Sequence, residues 1–350
     1  MNQKYDYGIV IGRFQPFHSA HQDLIRHALT LAEKVIVILG SARSASDVKN
    51  PFTPAMREEM IRACFPLEAE RLIFRAVRDY PYNDHVWTTE VQNVVREITE
   101  DEDEKEKAQI ALVGFFKDRT SYYLNLFPQW QFEEFYCFHR AYLKASASEI
   151  REKYFTENPA WTEFLPPPIA TQLEVFRQSE TFANLKKEFD YLRKYKADTR
   201  FAGVSFEPTF ITTDAVVVQS GHVLIIRRGH QPGKGLLALP GGFLAKDMTL
   251  EDSALKELKE ETQIKVPAAV LRGSIKASHA FDYPERSQRG RTVTFAYFIE
   301  LEPSLKDGLP RVKGGDDAAK AFWLPLSALG ENEDKFFEDH YSIIRYFLGF

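Results

Sequence analysis

Two textures of hydrophobic pattern divide the chain. In the first half, short unbroken apolar runs alternate with segments whose apolar residues return at helical spacing. Tyr7 to Ile11 reads as a buried strand, followed by a glycine turn and a helix near Ala20 to Glu33. Lys34 to Leu39 reads as a second buried strand, ending in Gly40-Ser41. Ile73 to Val77 and Ile110 to Val113 read as further strands, with a helix over Val86 to Ile98 between them. Unbroken apolar runs suit strands covered on both faces, so this rhythm predicts a parallel sheet with crossover helices, an α/β fold.

The almost entirely charged run Glu100 to Lys107 predicts a solvated loop or helix end. Pro166-Pro167-Pro168 predicts a stiff bend, and after it Leu173, Phe176, Phe182, Leu185, Phe189 and Leu192 recur near helical spacing. They predict one long helix from about Ile169 to Tyr195. From about Gly203 the pattern changes. Thr209 to Val218 and His222 to Arg227 read as two strands joined by a turn at Ser220-Gly221. A loop rich in Gly and Pro follows, then a helix over Leu250 to Thr262 and strands at Thr292 to Leu301 and Ala321 to Leu324. This half predicts an α+β unit with one prominent helix. The expected division is a first domain over 1–181, a linker over 182–203 and a second domain over 204–350.

Length and composition agree with two domains. The chain has 350 residues, 44% hydrophobic and 27% charged, enough apolar material for two cores. A net charge of −5 argues against a protein that coats nucleic acid, while leaving room for local basic pockets. No stretch approaches the ~18 apolar residues needed to span a bilayer, and no signal-like leader is visible, so the cytoplasm is the expected location. Cys64 and Cys137 stand far apart, outside any metal-ligand spacing, and read as two structural thiols in a reducing compartment. A homo-oligomer is compatible with the sequence.

The first candidate site is Gly12-Arg13-Phe14-Gln15-Pro16-Phe17-His18-Ser19-Ala20-His21, where a buried strand turns at glycine into a helix. Such a junction aims backbone N–H groups and a helix N-terminus at one point, where an anion is welcome. Gly12 permits close approach of a phosphate to the backbone. His18 and His21, three apart, share a helix face, and with Arg13 they suit the charge that develops on a phosphorus in transfer. Two histidines at this spacing also suit a metal, although no third ligand is evident nearby. The string resembles the Gly-x-Phe-x-Pro-x-His-x-x-His signature of the nucleotidyltransferase superfamily. With Gly40-Ser41-Ala42, Asn50-Pro51-Phe52-Thr53, Arg57, Asn83, Trp87, Gly114, Lys117, Asp118 and Ser148-Glu149-Ile150-Arg151, it is similar to archaeal-type nicotinamide mononucleotide (NMN) adenylyltransferases over roughly residues 5–180.

That resemblance implies a doubly wound, Rossmann-like domain. It places Arg13, His18 and His21 in catalysis and Gly12, Phe14, Arg57, Gly114, Lys117, Asp118, Ser148 and Arg151 around ATP. Trp87 would stack on the nicotinamide ring and Asn83 would bond its amide. It further implies attack by the 5′-phosphate of the mononucleotide on ATP with Mg²⁺ on the triphosphate. The attacking group is already an anion, so no general base is needed and alignment carries the reaction.

The second candidate site runs from Leu239-Pro240-Gly241-Gly242 to a helix with Glu257, Glu260 and Glu261. At i, i+3, i+4 the three carboxylates share one helix face, where they repel each other unless a hard cation such as Mg²⁺, or alternatively Mn²⁺, lies among them. Read without the loop, the same pattern is a solvated face with pairs such as Lys256–Glu260. The string resembles the Nudix box, Gly-x5-Glu-x7-Arg-Glu-apolar-x-Glu-Glu-x-Gly-apolar, which implies an α+β Nudix fold and a metal held by Glu257, Glu260 and Glu261. Three positions depart from it. Met248 stands at the first Glu, Lys256 at the Arg, and Gln263 at the Gly that takes a left-handed conformation, where Gln costs about 1 kcal/mol.

Met248 removes a carboxylate, and the sequence leaves open whether hydrolysis is weakened or abolished. Ser278-His279-Ala280-Phe281-Asp282, Arg286, Arg289, Arg291 and Gly315-Asp316-Asp317-Ala318 resemble the ADP-ribose pyrophosphatase branch. This implies that Gly241, Gly242, Phe281, Arg286 and Arg291 contact ADP-ribose. Glu260, Glu285 and Asp316 remain alternatives for the general base, with Glu260 counted among the catalytic residues. In this order, the two halves resemble bacterial bifunctional NMN adenylyltransferase/ADP-ribose pyrophosphatases. The implied small-molecule partners are ATP, NMN, NAD and ADP-ribose, with neither nucleic acid nor membrane among them. Two readings stay beside this one: a Nudix domain that senses a nucleotide without cleaving it, and one acting on another nucleoside diphosphate derivative.

Overall fold

Apolar runs with both faces to bury become the strands of a parallel sheet. In the computed structural model, which describes residues 4–100, 108–116, 119–136, 146–198, 205, 207–303 and 308–349, the chain separates into two units, Met1–Lys186 and Lys187–Phe350. The first unit holds strands β1 (Tyr5–Gly12), β2 (Ala32–Leu39), β3 (Leu72–Ala76), β4 (Ile110–Gly114) and β5 (Gln131–Glu134). All pairings are parallel, in the order β3-β2-β1-β4-β5. The helices are α1 (Ser19–Leu31), α2 (Pro54–Ala63), α3 (Asp84–Thr99), α4 (Ala147–Phe155), α5 (Pro167–Phe176) and α6 (Glu180–Lys196), the last crossing the division between the units.

Alternation assigns the apolar strand residues to two faces. Ile9, Ile36, Ile38 and Leu112 pack with Val91 and Val95 of α3 on one side. On the other, Gly8 lets α1 close in, so that a Cβ there would lie 3.7 Å from the Ala28 Cβ of that helix. The sheet is thus doubly wound, as the alternating rhythm predicts. The edge strand β5 went unread because its four residues include no apolar run and none is buried.

The long helix expected over Ile169 to Tyr195 is two helices. Ser179 breaks it: its hydroxyl donates to Phe176 O and accepts from Phe182 N at 3.1 Å, stopping α5 and capping α6. Apolar spacing persists through the break because Phe176 and Phe182 meet across it, with ring centroids 6.1 Å apart.

The second unit is built on strands β6 (Phe210–Gln219), β7 (His222–Arg228), β8 (Leu237–Ala238), β9 (Gly241–Phe243), β10 (Ile275–Phe281), β11 (Thr292–Glu300) and β12 (Ala318–Pro325), with helices α7 (Leu250–Thr262), α8 (Ala268–Gly273) and α9 (His340–Leu348). The mixed sheet runs β10-β11-β6-β7-β12, with β8 on β7 and β9 on β6; β11 and β6 pair in parallel and the other pairs of these strands are antiparallel. The β6–β7 turn puts Ser220 and Gly221 in left-handed backbone, as a tight two-residue hairpin requires. Leu255 and Leu258 of α7 and Leu271 of α8 pack on Ala215, Val217 and Leu224, forming the core beneath the carboxylate helix. Among the described residues, no helix is long and apolar enough to cross a membrane.

Candidate active sites

Parallel open sheets leave a crevice at the carboxyl ends of their strands where strand order reverses. Here the reversal falls between β1 and β4, which end at Gly12 and Gly114. The chain leaving β1 carries Arg13 to His18 and starts α1 with His18 at the cap position. His18 N donates to His21 Nδ1 at 3.4 Å, and the two rings stack with centroids 3.6 Å apart. The histidine pair is therefore held in one place by the helix start itself.

Around this loop the structure brings together Arg13, His18, His21 and Arg151. Arg151 Nη1 donates to Gln15 O and Nη2 to Ser148 Oγ at 3.2 Å, tying the start of α4 to the loop. Burial pushes Arg151 down to about 10, helped by the neighbouring charge of Arg13. Arg13 and Arg151 are two guanidinium groups kept close, with Asp47 partly offsetting their charge, and such a pair seeks an anion.

Other expected ATP contacts have different tasks. Arg57 is fully buried, and Nη1 donates to Arg13 O and Gly40 O, both at 2.7 Å. Through Nη1 it fastens the ends of β1 and β2, while its Nη2 is buried without a hydrogen-bond partner among the described residues. Phe14 is buried with its ring against Gly12; a Cβ at Gly12 would lie 2.7 Å from Phe14 Cζ. The glycine therefore makes room for the phenyl ring as well as for whatever approaches the loop. At Gly114 a Cβ would lie 2.6 Å from a Leu124 methyl, so glycine there leaves room for the Leu124 side chain. Lys117, Asp118 and Cys137 lie outside the described residues.

Asn83 caps α3, its side-chain oxygen accepting from Val86 N at 3.2 Å. Trp87, one turn later, packs edge-on against Tyr123 and Phe127, with centroids 6.0 and 5.7 Å away. Both sit where the chain returns from β3, on the carboxyl side of the sheet. Two residues escaped the sequence reading. The buried Gln15 carboxamide donates to Phe52 O at 2.8 Å and accepts from Phe52 N at 3.0 Å, locking the phosphate-loop candidate to the Asn50–Thr53 segment. Asp79 accepts from the Ser41 amide at 3.2 Å and from its hydroxyl, joining the loops after β2 and β3. A polar residue inside an apolar loop was the available signal for Gln15. Cys64 is held inert, its thiol pushed by burial up to about 11.

In the second unit, β9 lies directly over the carboxylate face of α7. Gly241 N donates to Glu261 Oε2 at 2.9 Å, and a Cβ on Gly242 would lie 2.6 Å from Glu257 Oε2. Burial pushes Glu261 up to about 8, with Glu257 adding to the rise and the Gly241 N–H opposing it. Burial also raises Glu257, as do Glu260 and Asp316, against Lys256. Lys256 Nζ lies 2.6 Å from Glu260 and 3.8 Å from Glu257. Among the described residues no three His, Cys, Asp or Glu groups converge as a ready metal cage. The donor set nonetheless fits a hard cation: repelling, partly desolvated carboxylates face a backbone that has no side chain in the way.

Gln263 adopts φ +46°, ψ +31° at the end of α7, the conformation its position in the box requires. The loop after it returns at Gly315, whose N–H donates to Glu261 O, and brings Asp316 close enough to raise Glu257. Asp316 and Glu260 therefore sit near Glu257, whereas Glu285 is exposed on another loop.

Two expected ADP-ribose contacts are committed elsewhere. Phe281 is wholly buried against Tyr346 and Phe347, with centroids 5.1 and 5.9 Å away, so it serves the core rather than stacking on an adenine. Arg286 is buried and bidentate to Asp339, at 3.0 and 2.7 Å. It could reach a phosphate only by leaving that carboxylate unpaired in the interior. Arg291 donates to Asp282 O and remains partly exposed.

The sequence reading also missed a charged layer beneath β9. Asp214 accepts from Thr294 Oγ1 at 2.5 Å, and burial holds it above the usual carboxylate range despite Arg286, Arg289 and Arg228. Arg228 lies over the Phe337 ring, 4.1 Å from its centroid. His340 Nδ1 accepts from Leu239 N at 2.9 Å, and burial pushes the imidazole down to about 3.

Comparison with known proteins follows the same division. The Cytidylyltransferase-like family matches residues 9–153 and the NUDIX domain family residues 209–347. The nicotinamide/nicotinic acid mononucleotide adenylyltransferase of Acinetobacter baylyi is 37% identical over 187 residues, 53% of this chain and 94% of the relative. An ADP-ribose pyrophosphatase of Methanocaldococcus jannaschii is 29% identical over 135 residues, 39% of this chain and 70% of the relative. Two crystal structures of a bifunctional NMN adenylyltransferase/ADP ribose pyrophosphatase from Francisella tularensis cover 99% of both chains. One, complexed with AMP and a manganese ion, has TM-score 0.87 at 31% identity; the other has TM-score 0.88 at 32% identity. With both sites carried in the same order on one polypeptide, this chain belongs to the bifunctional NMN adenylyltransferase/ADP-ribose pyrophosphatase family.

Proposed function

We propose that the first unit transfers the adenylyl group of ATP to nicotinamide mononucleotide, giving NAD and pyrophosphate, and that the second hydrolyses ADP-ribose to AMP and ribose 5-phosphate. The observation that carries this reading is the whole-chain likeness to the Francisella enzyme combined with both motifs at the mouths of their sheets. In the first reaction the mononucleotide phosphate attacks the α-phosphorus and pyrophosphate leaves. His18, His21, Arg13 and Arg151 stabilise charge on the transferring group, Gly12 and Ser148 flank it, and Asn83 and Trp87 orient the nicotinamide.

In the second reaction Glu257, Glu260 and Glu261 would hold a divalent cation, Mg²⁺ or Mn²⁺, with Gly241, Gly242 and Arg291 beside the diphosphate. When bound, that cation supplies charge neutralisation and makes water more acidic. Glu260 or Asp316 takes the proton of the attacking water. Glu260 must first exchange its contact with Lys256, which lies 2.6 Å away. Incubation of the full chain with ATP and NMN, and separately with ADP-ribose and Mn²⁺, tests both halves. Absence of NAD in the first mixture or of AMP in the second overturns the corresponding assignment.

One observation favours a second reading for the Nudix unit. The first box glutamate is replaced by an exposed Met248, and Lys256 lies among the remaining carboxylates, 2.6 Å from Glu260 and 3.8 Å from Glu257. A domain that retains ADP-ribose and releases no AMP would establish the sensor reading in its place.

A further inference from the structure

We propose that His340 is a positioning residue for the Nudix metal centre, acting through the backbone of Leu239–Gly242. The inference rests on the reading of Glu257, Glu260 and Glu261 as metal ligands.

The segment that covers the carboxylates is fixed at successive backbone groups. Leu239 N donates to His340 Nδ1 at 2.9 Å, Pro240 O accepts from Ala215 N at 2.9 Å, and Gly241 N donates to Glu261 Oε2 at 2.9 Å. Gly241 and Gly242 then pair with Asp214 and Thr213 of β6. The second and fourth fixings come from β6 and the third from α7. The first comes from the start of α9, far along the chain, and it is made by a buried side chain.

A histidine suits this place chemically. Leu239 N is a donor in a buried setting, and a buried amide without an acceptor is costly. A neutral imidazole offers one ring nitrogen as acceptor and keeps its proton on the other, so the contact fixes the proton on Nε2. Interior burial keeps the ring neutral against the pull of Asp339, with Arg286, Arg228 and Arg289 adding to the effect of burial.

The neighbours of His340 hold it in turn. Asp339 grips Arg286 in two hydrogen bonds, and Glu338 lies 3.7 Å from Arg289. Three consecutive residues thus pin the turn before β11 and the strand end before β9 to one helix start. Displacing Leu239 by a few tenths of an ångström carries Gly241 away from Glu261. It also changes the clearance of Gly242 over Glu257, which a Cβ would already violate. Groups that orient ligands from outside typically alter metal affinity by about 10–100-fold when removed.

The test uses the full chain, with Mn²⁺ affinity read from the electron paramagnetic resonance of the free ion and folding checked by thermal melting and by adenylyl transfer. His340→Ala is expected to weaken Mn²⁺ binding by about 10-fold or more. His340→Asn, whose Oδ1 stands where Nδ1 stood, restores it, whereas His340→Gln does not. Ile343→Ala, a packing change on the same helix, controls for general loosening. Equal Mn²⁺ affinity in His340→Ala and wild type overturns the proposal. So does equal weakening in Ile343→Ala at the same loss of melting temperature. If His340→Ala does not fold, the Asn and Gln variants decide: equal affinity in the two overturns the proposal. Glu261→Gln separates the layers. Undiminished binding there overturns the ligand assignment and this proposal with it, whereas weakened binding there beside an unchanged His340→Ala overturns this proposal alone.

Discussion

At the residue scale, the two sites depend on atoms that are missing as much as on those present. Gly242 leaves the space that Glu257 occupies, so Gly242→Ala is expected to lower ADP-ribose hydrolysis by about 10²-fold, through displaced ligation, while adenylyl transfer in the same chain stays at the wild-type rate. Paired assays on one preparation check it; equal loss of both activities would show misfolding instead. In the first unit, His18→Ala is expected to lower turnover by on the order of 10²-fold, and an unchanged turnover number removes that residue from the chemistry. His340 adds a pH signature. Its folded value is depressed to about 3 from the ordinary 6.5, so the neutral ring is what the fold accepts. The associated stability is complete above about pH 6.5 and is lost as pH falls toward 3, with a slope of up to ~1.4 kcal/mol per pH unit. Because Asn keeps the acceptor and does not titrate, melting curves of His340→Asn and wild type should diverge least near neutrality and most near pH 4, where wild type alone loses stability. Parallel curves over that range would contradict the burial of an uncharged imidazole.

At the scale of elements, local pattern and tertiary demand agree along most of the chain and part at identifiable places. Apolar runs placed β1, β2 and β4 because their central residues are buried, and β3, although an edge strand, because Leu72 and Phe74 are buried within it. The same reasoning could not see β5 or the exposed strand β10, since an edge strand is defined by its backbone pairing more than by its side chains. It merged α5 and α6, because Ser179 interrupts hydrogen bonding without interrupting apolar spacing. In the sites, residues inside a contiguous signature were legible, and those joined only by the fold were not. Gln15, Asp79 and His340 act on backbone groups brought to them from elsewhere in sequence. Phe281 and Arg286 carry chemistry suggestive of ligands, yet folding consumes it internally. The end of α7 supplies a prediction of its own. Gln263 occupies left-handed backbone at φ +46°. Gln263→Gly is therefore expected to stabilise the Nudix unit by about 0.5–1 kcal/mol, seen as a higher melting temperature. A lower one would show that the Gln263 side chain, 3.4 Å from Gly314 O, matters more than the strain.

At the scale of the whole molecule, each unit has its own sheet and its own buried core, and its ligands bind to different charges. A ligand stabilises only the fold that binds it, by about 2.7 kcal/mol at a hundredfold excess over its dissociation constant. For units of this size that corresponds to a shift of several degrees, at roughly 2–4 °C per kcal/mol. Calorimetry of the full chain is expected to show two transitions. ATP should move the one belonging to the transferase unit, and Mn²⁺ with ADP-ribose the one belonging to the Nudix unit. Arg286→Ala supplies the assignment of peaks, because it strands Asp339 in the interior and should cost the Nudix transition about 3–5 kcal/mol without touching the other. Glu261→Gln should abolish the Mn²⁺ shift and leave the ATP shift in place. If ATP instead moved the transition that Arg286→Ala lowers, the two activities would be coupled through folding stability, and synthesis of the dinucleotide would govern how much competent hydrolase the chain presents.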